Sequence, residues 1–233
     1  MSMLGKHHIS ISIGSGLLLT APWFLSAPVS VTIFIAGTII GSLLPDTDAA
    51  DSKLHYMDGI AKFFSLIMRP VVFPLTGYVF YLLRQPFNPS HRGSMHTFLG
   101  LAVYTSILAV IINLGLAVLG FWNVLLLFFT IGLSFGGLFH IFEDCCTKSG
   151  ICPLMPYSKH WFGGGISTRD HQDKRPEQYS TGLIVLAVGI MIAEQHFRFE
   201  PLQVAPFSIL IFTIAWVTIY IMSKSSAKRQ YRR

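Results

Sequence analysis

Two apolar runs, residues 97–119 and 122–142, follow one another with only Gly120 and Phe121 between them. Each is long enough for an α-helix to cross the roughly 30 Å hydrocarbon core of a bilayer, which takes about 20 residues. A turn that short joins antiparallel neighbours. Inside lipid no water satisfies stray backbone N–H and C=O groups, so such runs must be helical and must pack on one another. Further apolar runs occupy 9–25, 29–44, 60–83, 181–197 and 204–222. Hydrophobic residues make up 52% of the chain and charged ones 12%, too few charges to cover a soluble globule. The expected fold is an all-α, polytopic transmembrane bundle of about six crossing helices, with a broken or interfacial segment at 60–83.

The 233 residues fit one membrane-embedded domain, 1–223, with a polar loop at 143–180 and a basic tail at 224–233. Lys6 before an apolar run, with Ser26 and Ala27 after it, imitates a secretory signal. Pro28 would obstruct cleavage and a second apolar run follows at once, so a retained helical hairpin is expected. The segment 60–83 is long enough to cross but carries Lys62, Arg69, Pro70 and Pro74. Proline removes a helical hydrogen bond, and an arginine deep in a bilayer is costly without a partner. If this segment does not cross, all of the 17 Lys and Arg residues except Arg198 lie on one side or in that segment. Positive charge marks the cytoplasmic side, so both termini are expected there. The formal charge of +6 is thereby explained by topology and headgroup contact, and no nucleic-acid partner is expected. Cys145, Cys146 and Cys152 fall on the same side, where thiols stay reduced.

Four polar clusters meet this cytoplasmic edge. Asp46 and Asp48 alternate just after Pro45 at the end of the second run. Two close carboxylates repel unless a cation or a proton separates them; the alternative is a solvated loop mouth, as Asp51 and Asp58 look to be. His91 and His96 are five apart, off one helical face, and Gly93 could turn the chain so that both rings meet. Arg92 is a permanently charged fork for phosphate or carboxylate, or a headgroup anchor. His140 and Asp144 stand at i, i+4, so on a helix both point the same way. They could share one divalent ion, form a ligand with its supporting carboxylate, or simply hydrogen-bond. Glu143 beside them could be a base or an ordinary interfacial charge. His7 and His8 precede the first run on the same side. His160, Asp170, His171 and Asp173 in the long loop are weaker candidates, read as surface residues.

The combined order of motifs resembles the YdjM-type inner-membrane proteins, a family described as metal-dependent hydrolases. The resemblance rests on a histidine before the Gly16–Leu19 stretch, Leu-Pro-Asp-Thr-Asp at 44–48 followed by Asp51, Ser52 and Lys53, then His91, Arg92, Gly93 and His96, and then His140 with Asp144, Thr147, Gly150 and Pro156. It covers roughly residues 7–158, and His8 fits the spacing better than His7. The Glu143 position and the paired cysteines depart from the family pattern. The resemblance implies a bacterial inner-membrane protein with His8, Asp46, Asp48, His91, His96, His140 and Asp144 as metal ligands. His91, His96, His140 and Asp144 would carry catalysis.

The expected cofactor is a divalent metal, Zn or Mn, as one or two ions, since mixed His/Asp donors suit both. Arg92 and Lys53 near the bilayer edge point to an anionic membrane lipid or other amphiphilic substrate, hydrolysed at an ester or phosphoester. A homo-oligomer is compatible with the sequence. Two rival readings are a metal-ion carrier, which would need polar positions deep in the bundle, and a regulatory membrane protein with a closed, structural metal.

Overall fold

The computed structural model describes residues 5–48, 60–90, 92–167 and 173–229. Eight helices dominate these residues. They are α1 (Gly5–Thr20), α2 (Pro28–Gly41), α3 (Ile60–Ile67), α4 (Phe73–Leu82), α5 (Phe98–Val118), α6 (Leu125–Cys145), α7 (Arg175–Phe197) and α8 (Pro201–Met222). The only sheet among the described residues is an antiparallel pair, β1 (His160–Gly163) with β2 (Ser226–Arg229). Six stretches are long and apolar enough to cross a membrane: Pro28–Thr47, Lys62–Leu82, Phe98–Val118, Leu125–Cys145, Arg175–Phe197 and Pro201–Met222. The chain is thus an all-α bundle, as expected.

Local chemistry sets several helix ends. Pro28 occupies the first turn of α2, where its missing N–H is not needed. Thr97 caps α5 by accepting a hydrogen bond from the Gly100 amide at 2.9 Å. Glu200 and Gln203 form a reciprocal capping box that starts α8. Helix starts fall earlier than hydropathy alone indicates. α1 begins at Gly5, so His7 and His8 are on the helix instead of ahead of it. α7 likewise takes in Arg175 to Ser180, because charged first-turn residues extend a helix beyond its apolar run.

By length and composition alone, α1 with its sixteen residues, about 24 Å, is not among these six stretches, whereas Lys62–Leu82 is. The latter is helical throughout but interrupted by a π-helix at Met68–Val72 that contains Arg69 and Pro70, a break of the kind proline imposes. Arg69 Nε donates to the Thr47 carbonyl at 3.2 Å, which ties this break to the end of α2. A lone crossing here would leave Asp46 and His96 at opposite ends of the bundle, yet their side chains are 3.3 Å apart.

α2 and α6 form the tightest contact. Gly37 and Gly41 of α2 face Gly132 and Gly136 of α6 so closely that a Cβ on Gly136 would strike the Thr38 carbonyl. Small residues let membrane helices approach backbone to backbone. α1 packs against α7 through Ile11, Leu18, Leu183 and Ala187, all buried. A second core joins Leu43, Leu44, Met68, Met95, Leu101 and Leu133. Outward faces stay apolar: Leu114, Val185, Ile192 and Leu210 are all exposed, as a lipid-facing surface requires. The loop after α6 folds back onto the same end of the bundle. Gly164 and Ile166 donate to the Thr147 and Cys146 carbonyls, and β2 of the tail is paired to β1.

Candidate metal centre

The start of α1, the end of α2, the turn before α5 and the end of α6 meet at one end of the bundle, and each delivers an ionisable side chain. α1 supplies His8. The 3₁₀ turn Pro45–Asp48 after α2 supplies Asp46. The 3₁₀ turn Ser94–His96 supplies His96. α6 supplies His140 and Asp144 from successive turns of one face. His8, His96, His140 and Asp144 are fully buried and Asp46 is nearly so.

Two of these histidines, His140 and His8, are fixed by their far nitrogens. His140 Nδ1–H donates to the Ser42 carbonyl at 2.7 Å, which a carbonyl can only accept, so Nε2 is left with its lone pair. His8 Nδ1–H donates to Glu143 Oε2 at 2.7 Å, leaving its Nε2 likewise turned inward. The two rings stack with centroids 4.0 Å apart. Neither Nε2 has a hydrogen-bond partner among the described residues, and neither has Asp144 Oδ2. The other oxygen of Asp144 accepts from Arg92 Nη2 at 3.2 Å, while Arg92 Nη1 donates to the Gly150 carbonyl at 3.1 Å. Arg92 itself has φ of 62°, the left-handed region that residues with a Cβ seldom adopt. Backbone strain of this kind collects where a side chain must be aimed.

The inward atoms surround a common space. His140 Nε2 lies 3.6 Å from both Asp46 Oδ1 and Asp144 Oδ2. His96 Nε2 lies 3.3 Å from Asp46 Oδ1 and 3.8 Å from Asp144 Oδ2. Separations of 3.6 Å and more are too long for hydrogen bonds. A four-coordinate ion with bonds of ~2.1 Å spaces its donor atoms roughly 3.4 Å apart. Two overlapping groups could hold a cation, His8–His140–Asp144 and Asp46–His96–His140, each with its donor atoms within 4.8 Å of one another. Among the described residues the two aspartates of this buried cluster, Asp46 and Asp144, face one guanidinium, that of Arg92. Burying carboxylates is costly without compensating cations.

The sequence-predicted residues divide as follows. His8, Asp46, His96, His140 and Asp144 come together. Arg92 is engaged with Asp144 and Gly150, so its guanidinium acts inside the cluster. His91 and Lys53 lie outside the described residues, as does the side chain of Asp48. Of the weaker candidates, His160 is exposed and bonded to Ser158, and Asp173 pairs with Arg175 at 2.6 Å. That guanidinium holds the Asp173 carboxyl down at about 2. Asp170 and His171 lie outside the described residues. Burial pushes the Cys146 and Cys152 thiols up, away from the thiolate a metal would need. Two participants had no distinct signal in the sequence: the Ser42 carbonyl, and Glu143 as the partner of His8. The Gly93 position was legible as a turn. A Cβ there would collide with the Asn88 and Ser90 carbonyls.

A family model described as YdjM inner membrane protein matches residues 3–227. No curated protein and no solved structure matches the chain.

Proposed function

The chain belongs to the YdjM inner membrane protein family, and from that premise we propose that it is a membrane-embedded, metal-dependent hydrolase. Its substrate is an ester or phosphoester of an amphiphile, presented at the cytoplasmic edge of the membrane. The observation that carries this reading is the set of inward donor atoms at 3.3–3.8 Å, backed on their far sides by Ser42, Glu143 and Arg92.

His8, Asp46, His96, His140 and Asp144 are the ligands, with Zn or Mn the ions that mixed His/Asp donors suit. Two overlapping triads sharing His140 allow one ion or two. When bound, such an ion supplies Lewis acidity that polarises a phosphoryl or acyl oxygen and acidifies water. The protein's own part is orientation. Glu143 fixes the His8 tautomer, Ser42 fixes that of His140, and Arg92 turns one Asp144 oxygen toward the cluster. Purified protein should hydrolyse a generic phosphoester only when loaded with Zn or Mn, and Asp144→Ala should reduce the rate to background. Activity should fall as the pH is lowered, because protonated histidine ligands release the metal. Loaded protein inert toward phosphoesters and carboxylic esters alike would contradict the reading.

One observation favours a metal-ion carrier instead. Ser12 and Ser15 lie on the His8 face of α1, fully buried, and their hydroxyls have no hydrogen-bond partner among the described residues. They continue a polar line from the cluster into the bundle. Zn uptake into proteoliposomes, abolished by replacing both serines with alanine, would support that alternative over hydrolysis.

A further inference from the structure

A groove of about 440 Å³ opens between α7 and α8 on the outer face of the bundle, and its chemistry changes along its length. Arg175, Gln178 and Ser223 line it where α7 starts and α8 ends, the end that carries the His/Asp cluster. From there the walls are apolar apart from Tyr179 and Thr218, reaching Leu186 on α7 and Ile211 on α8. Eleven helical steps from Arg175 to Leu186 measure about 16 Å. That is half of a ~30 Å hydrocarbon core, the depth of one leaflet. Gly182 leaves the middle of the groove open, since a Cβ there would meet nothing within 4 Å.

Among the described residues the charges near this end of the groove do not balance. Asp173 is matched by Arg175 at 2.6 Å, and Glu177 by Lys6 at 3.6 Å. Lys174 and Lys224 are exposed, and among the described residues neither has an acidic partner. Lys174 and Lys224 are the chain neighbours of the lining residues Arg175 and Ser223, so a groove one leaflet deep and apolar inside, with positive charge next to its polar end, complements an anionic phospholipid in shape and charge. We infer that the groove between α7 and α8 binds one acyl chain of an anionic phospholipid of the same leaflet, with the phosphate between Lys174 and Lys224. This binding is separate from chemistry at the cluster. Tyr179 in the groove wall packs edge-on against Trp216, which stacks on Phe139, so an aromatic layer divides the two.

The test uses the full chain in vesicles containing phosphatidylglycerol or phosphatidylcholine with a photoactivatable group in the acyl chain, and cross-links are mapped by mass spectrometry. Labelling of Ile211 and Ala215 by phosphatidylglycerol should exceed that of the lipid-facing Leu210. Gly182→Leu, whose Cβ would meet nothing within 4 Å, should bring it down to the Leu210 level with helicity and metal content unchanged. Lys174→Gln and Lys224→Gln should each lower the preference for the anionic lipid about fivefold. Equal labelling of groove and outer faces overturns the inference, as does labelling unaffected by Gly182→Leu. Cross-links from the groove to a second copy of the chain would overturn it too, showing the groove to be an oligomer contact.

Discussion

Asp144 is the residue on which the cluster turns, because its two oxygens have different work. One is held by Arg92, and the other faces His96 and His140 without a hydrogen bond. His8 is held in the same way by Glu143, across 135 residues of sequence. Replacing Glu143 with glutamine should therefore weaken Zn affinity about 10–100-fold, the usual loss when a carboxylate behind a histidine ligand is removed. His8→Ala should cost more, and His7→Ala much less, since His7 points roughly 100° away around the helix. Competition against a fluorescent Zn chelator would rank the three. The spacing of His140 and Asp144 was readable because i, i+4 has one meaning on a helix. Glu143 was not readable, because its role depends on a partner delivered by another helix. Nor was the choice between His7 and His8 readable from local pattern, since it depends on helical phase and hence on where α1 begins.

At the scale of elements, the glycine contact between α2 and α6 holds Asp46 and Ser42 beside His140. Gly136→Leu would force the two backbones apart, where overpacking typically costs 1–3 kcal/mol. It should lower the thermal midpoint and metal affinity together. Gly189→Leu, on a face where a Cβ meets nothing, should leave both unchanged. A tryptophan-fluorescence melt with metal analysis on the same samples would separate the two cases. The loop carrying Asp173 makes a pH prediction. Its carboxyl is held at about 2 by Arg175 and by the Ser167 amide, below the ordinary value of 3.8. The stabilisation is fully present above the ordinary value and is lost as pH falls through about 2. Trp161 emission should report loosening of this loop between those limits, and Asp173→Asn should show it already at neutral pH. Long apolar elements were legible because hydropathy and length both act on them. The π-helix at Met68–Val72 was legible only as a disturbance, since Arg69 and Pro70 show that a helix is interrupted without showing how.

For the whole molecule, α1 begins and α8 ends beside the cluster, with Lys6 paired to Glu177 and Ser225 donating to the Cys145 carbonyl. The start of α1 and the end of α8 thus share one side of the bundle, and the proposal that this side is cytoplasmic, with Arg198 opposite, can be tested. Folding-reporter fusions at the two termini should be cytoplasmic, while an alkaline phosphatase fused at Gly120 should be active outside. The reverse pattern would place the cluster on the outer face. The bundle as such was readable from the sequence, since only helices bury their own backbone in lipid. The convergence of four helix ends was readable only through the charge pattern that puts them on one side. The account stands most directly on the metal content of wild-type protein purified in detergent without chelators, measured by elemental mass spectrometry alongside Asp144→Ala. It predicts one or two Zn or Mn ions per chain, lost in the variant while helicity is kept. A wild-type protein that is folded, free of metal and unable to take up Zn or Mn would contradict it, leaving the buried histidines and aspartates as a proton-sharing network.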